Sequence, residues 1–305
     1  MKKILSILTI LLFITGCGAE PSSQIKVVTT IFPYYDFTRA IANDAVDLTM
    51  LIDAGADIHT YDPTVQDIMD IKNADLFIYT GGHSDEWVNE IIGEIDTNKT
   101  KVIRIMDYLD VVVESEIEGA TEDHEEETEE EYDEHVWTSL FNAQLIVNVI
   151  KEELIKLDPT KEEVYNGAAE TYNNQISNIK LQIETLLENA ENKTLLFGDR
   201  FAFRYFTDEF DLPYYAAFNS CSTETEPSAS TVTYLINKIK TENIPTILYL
   251  EMSSQKIADT LFEETNVKTL PMYSGQTLSK TDFDSGITYV NLLERNLETL
   301  KEVFQ

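Results

Sequence analysis

Histidine is scarce in this chain: His59, His83, His124 and His135 are the only four, and Cys17 and Cys221 are the only cysteines. Imidazole, thiolate and carboxylate are the groups that ligate a borderline divalent cation or move protons near neutral pH, so their neighbourhoods are informative. His59 lies in "AGADIHTYDPTVQDI", after a predicted strand and before a helix that "DPT" would start. Loops at the carboxyl ends of parallel strands are where α/β folds bind ligands, although a loop histidine also serves as a structural or exposed residue. His135 ends an acidic stretch and begins the apolar segment "HVWTSLFNA", a place that suits a cap or packing residue as well as a ligand. Glu251, in "TILYLEMSS", stands at a strand's carboxyl end before a helix that serine would cap. "AAFNSCSTETEPSAS" brings Cys221, Glu224 and Glu226 into another strand-to-helix loop, where helix capping explains the polar run equally well. There is no Gly-rich phosphate loop, Ser/His/Asp signature, CxxC or HExxH, so nothing in the motifs points to nucleotide binding or to a hydrolytic base.

The elements that must position these groups alternate between strand and helix. "IKVVTTIF", "VDLTMLID", "ADLFIYTG" and "KVIRIMDY" are β-rich runs separated by segments with helical spacing of apolar residues. A second set follows from "KTLLFG" through "PYYAAF", "PTILYLEM" and "VKTLPM", with helices expected at "FAFRYFTDEF", "SASTVTYLINKIKTEN", "SSQKIADTLFEETN" and "GITYVNLLERNLETLKEVF". The fold class this implies is α/β, two lobes each with a mainly parallel sheet flanked by helices. Between them, Val164, Ala168, Tyr172, Ile176, Ile179, Ile183 and Leu187 form an apolar stripe along one long spanning helix. The expected organisation is an N-terminal lobe over 25–157, a linking helix over 158–192 and a C-terminal lobe over 193–305. Residues 114–134 carry thirteen acids and no base, and are expected to form a mobile acidic loop.

The first residues, "MKKILSILTILLFITGC", read as a bacterial lipoprotein signal: two lysines, a short apolar run and a small residue before cysteine. The run is shorter than the about 20 residues a bilayer-spanning helix needs. Residues 1–16 would be removed, Cys17 would carry the lipid, and 17–24 would form a polar tether on the outer face of the cell membrane. Consuming Cys17 leaves no disulfide framework. A net charge of −33, from 55 acids against 22 bases, disfavours nucleic acid and anionic lipid as partners and favours cations.

Taken together, "IHTYDPTVQDI" and "DEHVWTSLFNA" resemble the first two ligand motifs of the zinc- and manganese-binding lipoproteins of ABC importers. The order of lipobox, "VVTTIFPYYDF", first histidine, charged loop, second histidine, long helix, second lobe and "TYVNLLERNLETLKE" matches along essentially the whole mature chain. The resemblance implies an extracytoplasmic, monomeric protein that captures Zn²⁺, or alternatively Mn²⁺, between its lobes and delivers it to a permease with a cytoplasmic ATPase. It implies His59 and His135 as ligands, release through small lobe shifts, and no catalysis. The chain departs from the pattern at "LLFGDRFAFRYF": Arg200 falls where relatives carry a ligand, and a guanidinium cannot coordinate a cation. Asp199 then becomes the expected third donor and Glu251 the fourth, as ligand or as support to a histidine. Gln276 is a further neutral-oxygen donor in "PMYSGQTLSKTDFDSGITY", where Asp282 and Asp284 read as turn residues. His124 and its acids would gather cations weakly or simply solubilise the loop, and His83 has no metal role. Arg200 and Gln276 keep open a surface adhesin or a paralogue with a weakened site; a zinc hydrolase is the remaining alternative.

Overall fold

In the computed structural model of the chain, residues 24–114, 118, 131–218 and 227–304 are described. The signal segment with Cys17, His124, and Cys221 with Glu224 and Glu226 lie outside the described residues.

The first lobe is built on β1 (Ile25–Thr29), β2 (Val46–Met50), β3 (Leu76–Tyr79) and β4 (Lys101–Arg104), all parallel in the order β2-β1-β3-β4. All four residues of β3, "LFIY", are buried, as expected of a parallel strand covered on both faces. Helices α1 (Phe32–Ala42), α2 (Val65–Asn73) and α3 (Val88–Ile91) make the connections. Thr64 of the "DPT" signal caps α2 with a full capping box, exchanging bonds with Asp67. After β4 the chain returns through α4 (Leu140–Leu157).

The long helix is α5 (Glu162–Glu188), preceded by a 3-10 turn at Pro159–Lys161 that Asp158 caps. Its 27 residues span about 40 Å at 1.5 Å each. It lies against α1 and α4 on one side and against α10 (Tyr289–Val303) on the other, so both lobes share its apolar stripe. The buried positions are Tyr165, Ala169, Tyr172, Ile176, Ile179, Ile183 and Leu187. Val164 faces solvent, which moves the start of the stripe one residue from the expected Val164–Ala168. Helical geometry explains the shift: seven residues back from Tyr172 return to within about 20° of its face, whereas eight overshoot by about 80°.

The second lobe repeats the first, with β5 (Leu195–Phe197), β6 (Tyr214–Ala216), β7 (Thr246–Leu250) and β8 (Lys268–Met272) parallel in the order β6-β5-β7-β8. Its helices are α6 (Arg204–Glu209), α7 (Ala229–Glu242), α8 (Lys256–Thr265), α9 (Lys280–Asp284) and α10. The helix expected over "FAFRYFTDEF" shortens to α6, because Phe201 and Phe203 alternate like strand residues and stack on Tyr214 and Phe197. Serine does not cap α8 as expected; its N-cap is Gln255 in a left-handed conformation, held by the Ser253 hydroxyl.

One continuous core runs from β1 and α1 through α4 and α5 to β5, β7 and α10. A buried polar bolt crosses it. Asp36, fully buried on α1, accepts the Tyr172 hydroxyl at 2.6 Å and the Tyr289 backbone N–H at 2.7 Å, and pairs with Arg39. Arg39 in turn donates to the Ile287 carbonyl at 2.6 Å. The lobes are therefore joined by specific hydrogen bonds as well as by apolar burial.

Candidate metal centre

Every polar group of the site comes from a loop following a strand's carboxyl end, at the seam of the two lobes. His59 sits in a 3-10 turn, Ile58–Thr60, between β2 and α2; the Asp57 carboxylate caps it by accepting the His59 N–H at 3.0 Å. Ser84 lies in the turn His83–Asp85 after β3. Glu134 and His135 end the long excursion after β4, where Glu131–Asp133 returns beside Val112–Glu114 through paired backbone bonds. The end of the acidic stretch is thus ordered: Asp133 and Glu134 are buried with 2% and 5% exposure, a correction to the expectation of a mobile loop reaching residue 134. Its acids there are held by hydrogen bonds rather than left to solvent.

These bonds fix the imidazoles. The Ser84 hydroxyl donates to a Glu134 oxygen, and the Ser84 backbone N–H donates to the other at 2.9 Å. A hydroxyl has one proton to give, so at the 2.8 Å contact between Ser84 Oγ and His59 Nδ1 the imidazole is the donor. His59 Nε2 then carries its lone pair, and it is buried without a hydrogen-bond partner. His135 repeats the logic: Asp133 Oδ1 lies 2.8 Å from its backbone N and 3.0 Å from Nδ1, so the carboxylate accepts from both the backbone N–H and Nδ1–H. His135 Nε2 lies 3.0 Å from the Gln276 side-chain oxygen; with Nδ1–H given to Asp133 both of these atoms are acceptors, a pairing that a cation between them would satisfy. A carboxylate or hydroxyl behind a histidine, presenting the far nitrogen unprotonated, is the arrangement that metal-ligating imidazoles use.

The two rings are 6.5 Å apart, centroid to centroid, and ligand atoms of His59, Glu134 and His135 all lie within 4.8 Å of one another. Among the described residues these three form the group able to share an ion. Gly82 makes room for it: a Cβ there would stand 2.3 Å from the Glu134 Cβ. Burial lowers the His59 pKa, against the pull of Glu134, so the ring stays neutral. Nearby Asp85, buried and accepting the Thr80 and Gly81 N–H groups through one oxygen, is pushed up to about 7 by burial and by Glu134.

The second lobe's expected donors stand differently. Asp199 accepts the Arg200 N–H at 2.9 Å and the Leu250 N–H at 3.1 Å, tying the loop after β5 to the end of β7. Glu251 accepts three bonds of 2.6 to 2.7 Å, from the Ser274 N–H and hydroxyl and the Gly275 N–H. Neither joins the three-residue group. Glu251 instead shapes the turn at Gly275, where φ is +76°, and so sets Gln276 beside His135. Arg200 reaches across the seam to Asp57 at 3.8 Å. His83 is exposed and pairs with Glu86, away from the group. Glu134 and Asp133 were not singled out in the sequence, because they end a run of acids in which composition cannot separate one carboxylate from the next. Their position directly before His135 and the buried "HVW" was the usable signal.

A profile of the periplasmic zinc-uptake complex component A (ZnuA) family matches residues 27–303. The high-affinity zinc uptake system protein ZnuA of Bacillus subtilis is 30% identical over 293 residues, covering 94% of this chain and 90% of that protein. The zinc-binding lipoprotein AdcA of Streptococcus pneumoniae is 30% identical over 307 residues; the match takes in 99% of this chain but 61% of that longer protein. A crystal structure of the Zn(II)-bound ZnuA-like domain of that AdcA superposes with a TM-score of 0.75 at 28% identity, over 92% of this chain and 99% of the domain. With the two-lobed architecture and the paired histidines already in place, these matches show that the chain belongs to the ZnuA family of zinc-uptake components.

Proposed function

We propose that this protein captures a divalent cation, Zn²⁺ in preference to Mn²⁺, between its lobes and hands it to an ABC importer permease driven by a cytoplasmic ATPase. The observation that carries the reading is the buried group of His59, Glu134 and His135, whose ligand atoms lie within 4.8 Å of one another and in which His59 Nε2 has no hydrogen-bond partner. Leaving such a nitrogen dry and unpaired costs on the order of 1–3 kcal/mol, and a cation offsets that cost. Two nitrogens and one oxygen suit zinc at about 2 Å and suit manganese less well. His59, Glu134 and His135 are the ligands in this reading, with Gln276 as a neutral oxygen donor beside them. Asp199 and Glu251 act behind it, holding the second lobe's loops.

The role is binding and release, without covalent chemistry. Membership of an uptake family supports the importer as partner, and the lipobox supports a tether through Cys17 to the outer face of the membrane. The test is uptake of radioactive zinc by cells lacking the gene, grown at limiting zinc. Restoration by the wild-type chain but not by His59→Ala is expected; equal restoration by both would refute the proposal.

A further inference from the structure

Neighbouring residues of one turn in the second lobe touch both halves of the metal centre. Glu251 shapes that turn at Gly275; beyond it Gln276 lies 3.0 Å from His135 Nε2, and the Thr277 hydroxyl donates to the Ala56 carbonyl at 3.1 Å. Ala56 belongs to the loop that carries His59. The second lobe meets the same loop again where Arg200 stands 3.8 Å from Asp57, the residue that caps the His59 turn. Arg200 is itself held in place, because Asp199 accepts the Arg200 N–H with one oxygen and the Leu250 N–H with the other.

The two imidazoles differ in how far they depend on such contacts. The His135 segment is fastened to the second lobe inside the core: the Tyr205 hydroxyl donates to the Asp133 carbonyl at 2.8 Å, Trp137 Nε1–H to the Ser274 carbonyl at 2.9 Å, and the Tyr289 hydroxyl to the Trp137 carbonyl at 2.6 Å. The His59 loop is open on its outer side, with Asp53, Gly55 and Asp57 exposed and nothing within 4 Å of where a Cβ on Gly55 would stand. Resting on the metal-capture reading above, we propose that Arg200 and Thr277 are positioning residues, which clasp the His59 loop across the seam and slow the escape of a captured ion without touching it. An arginine that acted on the ion directly would repel it and speed its loss, so the two roles of Arg200 differ in sign.

Zinc release from the full chain tests this, with stoichiometrically loaded protein mixed rapidly with an excess of a chromophoric chelator. Arg200→Gln is expected to release zinc about two- to fivefold faster than the wild type, the range for a part-exposed ion pair. Thr277→Val is expected to release it about three- to tenfold faster, as the loss of one hydrogen bond implies. Arg200→Lys and Thr277→Ser, which keep the charge and the hydroxyl, hold zinc nearly as long as the wild type. Asp57→Asn keeps an oxygen for the His59 N–H but loses the charge that faces Arg200, so it matches Arg200→Gln, and the two combined are no faster than either alone. Release at the wild-type rate or slower in Arg200→Gln or in Thr277→Val, or additive effects of Arg200→Gln and Asp57→Asn, overturns the clasp. A wild type that takes up no zinc instead overturns the metal-capture reading itself, so the two failures are distinct.

Discussion

His59 and His135 arrive at the same chemistry by different supports: a Ser84 hydroxyl relayed to Glu134 for one, the Asp133 carboxylate for the other. Each support fixes a tautomer, which is what turns a buried ring into a ligand instead of a packing group. The histidines were legible because the chain has few, His59 follows a predicted strand and His135 opens the apolar segment after the acidic stretch. Their supports were not, because a hydrogen bond between residues 59 and 84 leaves no local pattern. Asp85 carries a pH signature of the site. Its carboxyl is raised to about 7 in the folded metal-free chain and lies near 3.9 when unfolded, so the native state holds the extra proton. Stability from this group is therefore full below about pH 4 and declines as pH rises through about 7. Asn keeps the oxygen that accepts the Thr80 and Gly81 N–H groups while removing the charge. Asp85→Asn is expected to stabilise the metal-free chain at about pH 8 by up to about 4 kcal/mol, and by less than half of that at about pH 5. Urea titration at the two pH values measures the difference; an equal effect at both would contradict the assignment.

At the scale of elements, α5 decides how freely the lobes move. Its stripe is shared by α1, α4 and α10, and Tyr172 on it closes the Asp36 bolt with the amino end of α10. The helix itself was legible from its steps of three and four; the bolt was not, because its partners are separated by 136 and 253 residues. Asp36 gathers three donors in a fully buried place, so its loss strands Tyr172, Arg39 and the Tyr289 N–H together. Asp36→Ala is expected to cost about 3–5 kcal/mol of unfolding free energy, the range for removing one member of a buried charged network. Chemical denaturation reads this directly, and a loss below about 1 kcal/mol would show that the lobes are held by apolar burial alone.

For the whole molecule, two parallel sheets turn their carboxyl ends toward one seam, and the loops there bring together residues from β2, β3 and β4 in one lobe and β5, β7 and β8 in the other. The alternation of strand and helix made that architecture readable in advance. The division of labour across the seam was not: the first lobe supplies His59, Glu134 and His135, while Asp199 and Glu251 bind their own loops and Arg200 faces the cleft. Carboxylate capture by nearby N–H groups depends on loop conformations that spacing does not encode. The most direct measurement is a competitive zinc titration of the wild type beside His59→Ala, His135→Ala, Glu134→Gln, Asp199→Asn and Glu251→Gln. The account expects one zinc per wild-type chain, a loss of affinity of at least about 100-fold in the first three variants, and losses within about 10–100-fold in the last two, which act through neighbours. Zinc held as tightly by His59→Ala and His135→Ala as by the wild type would contradict it.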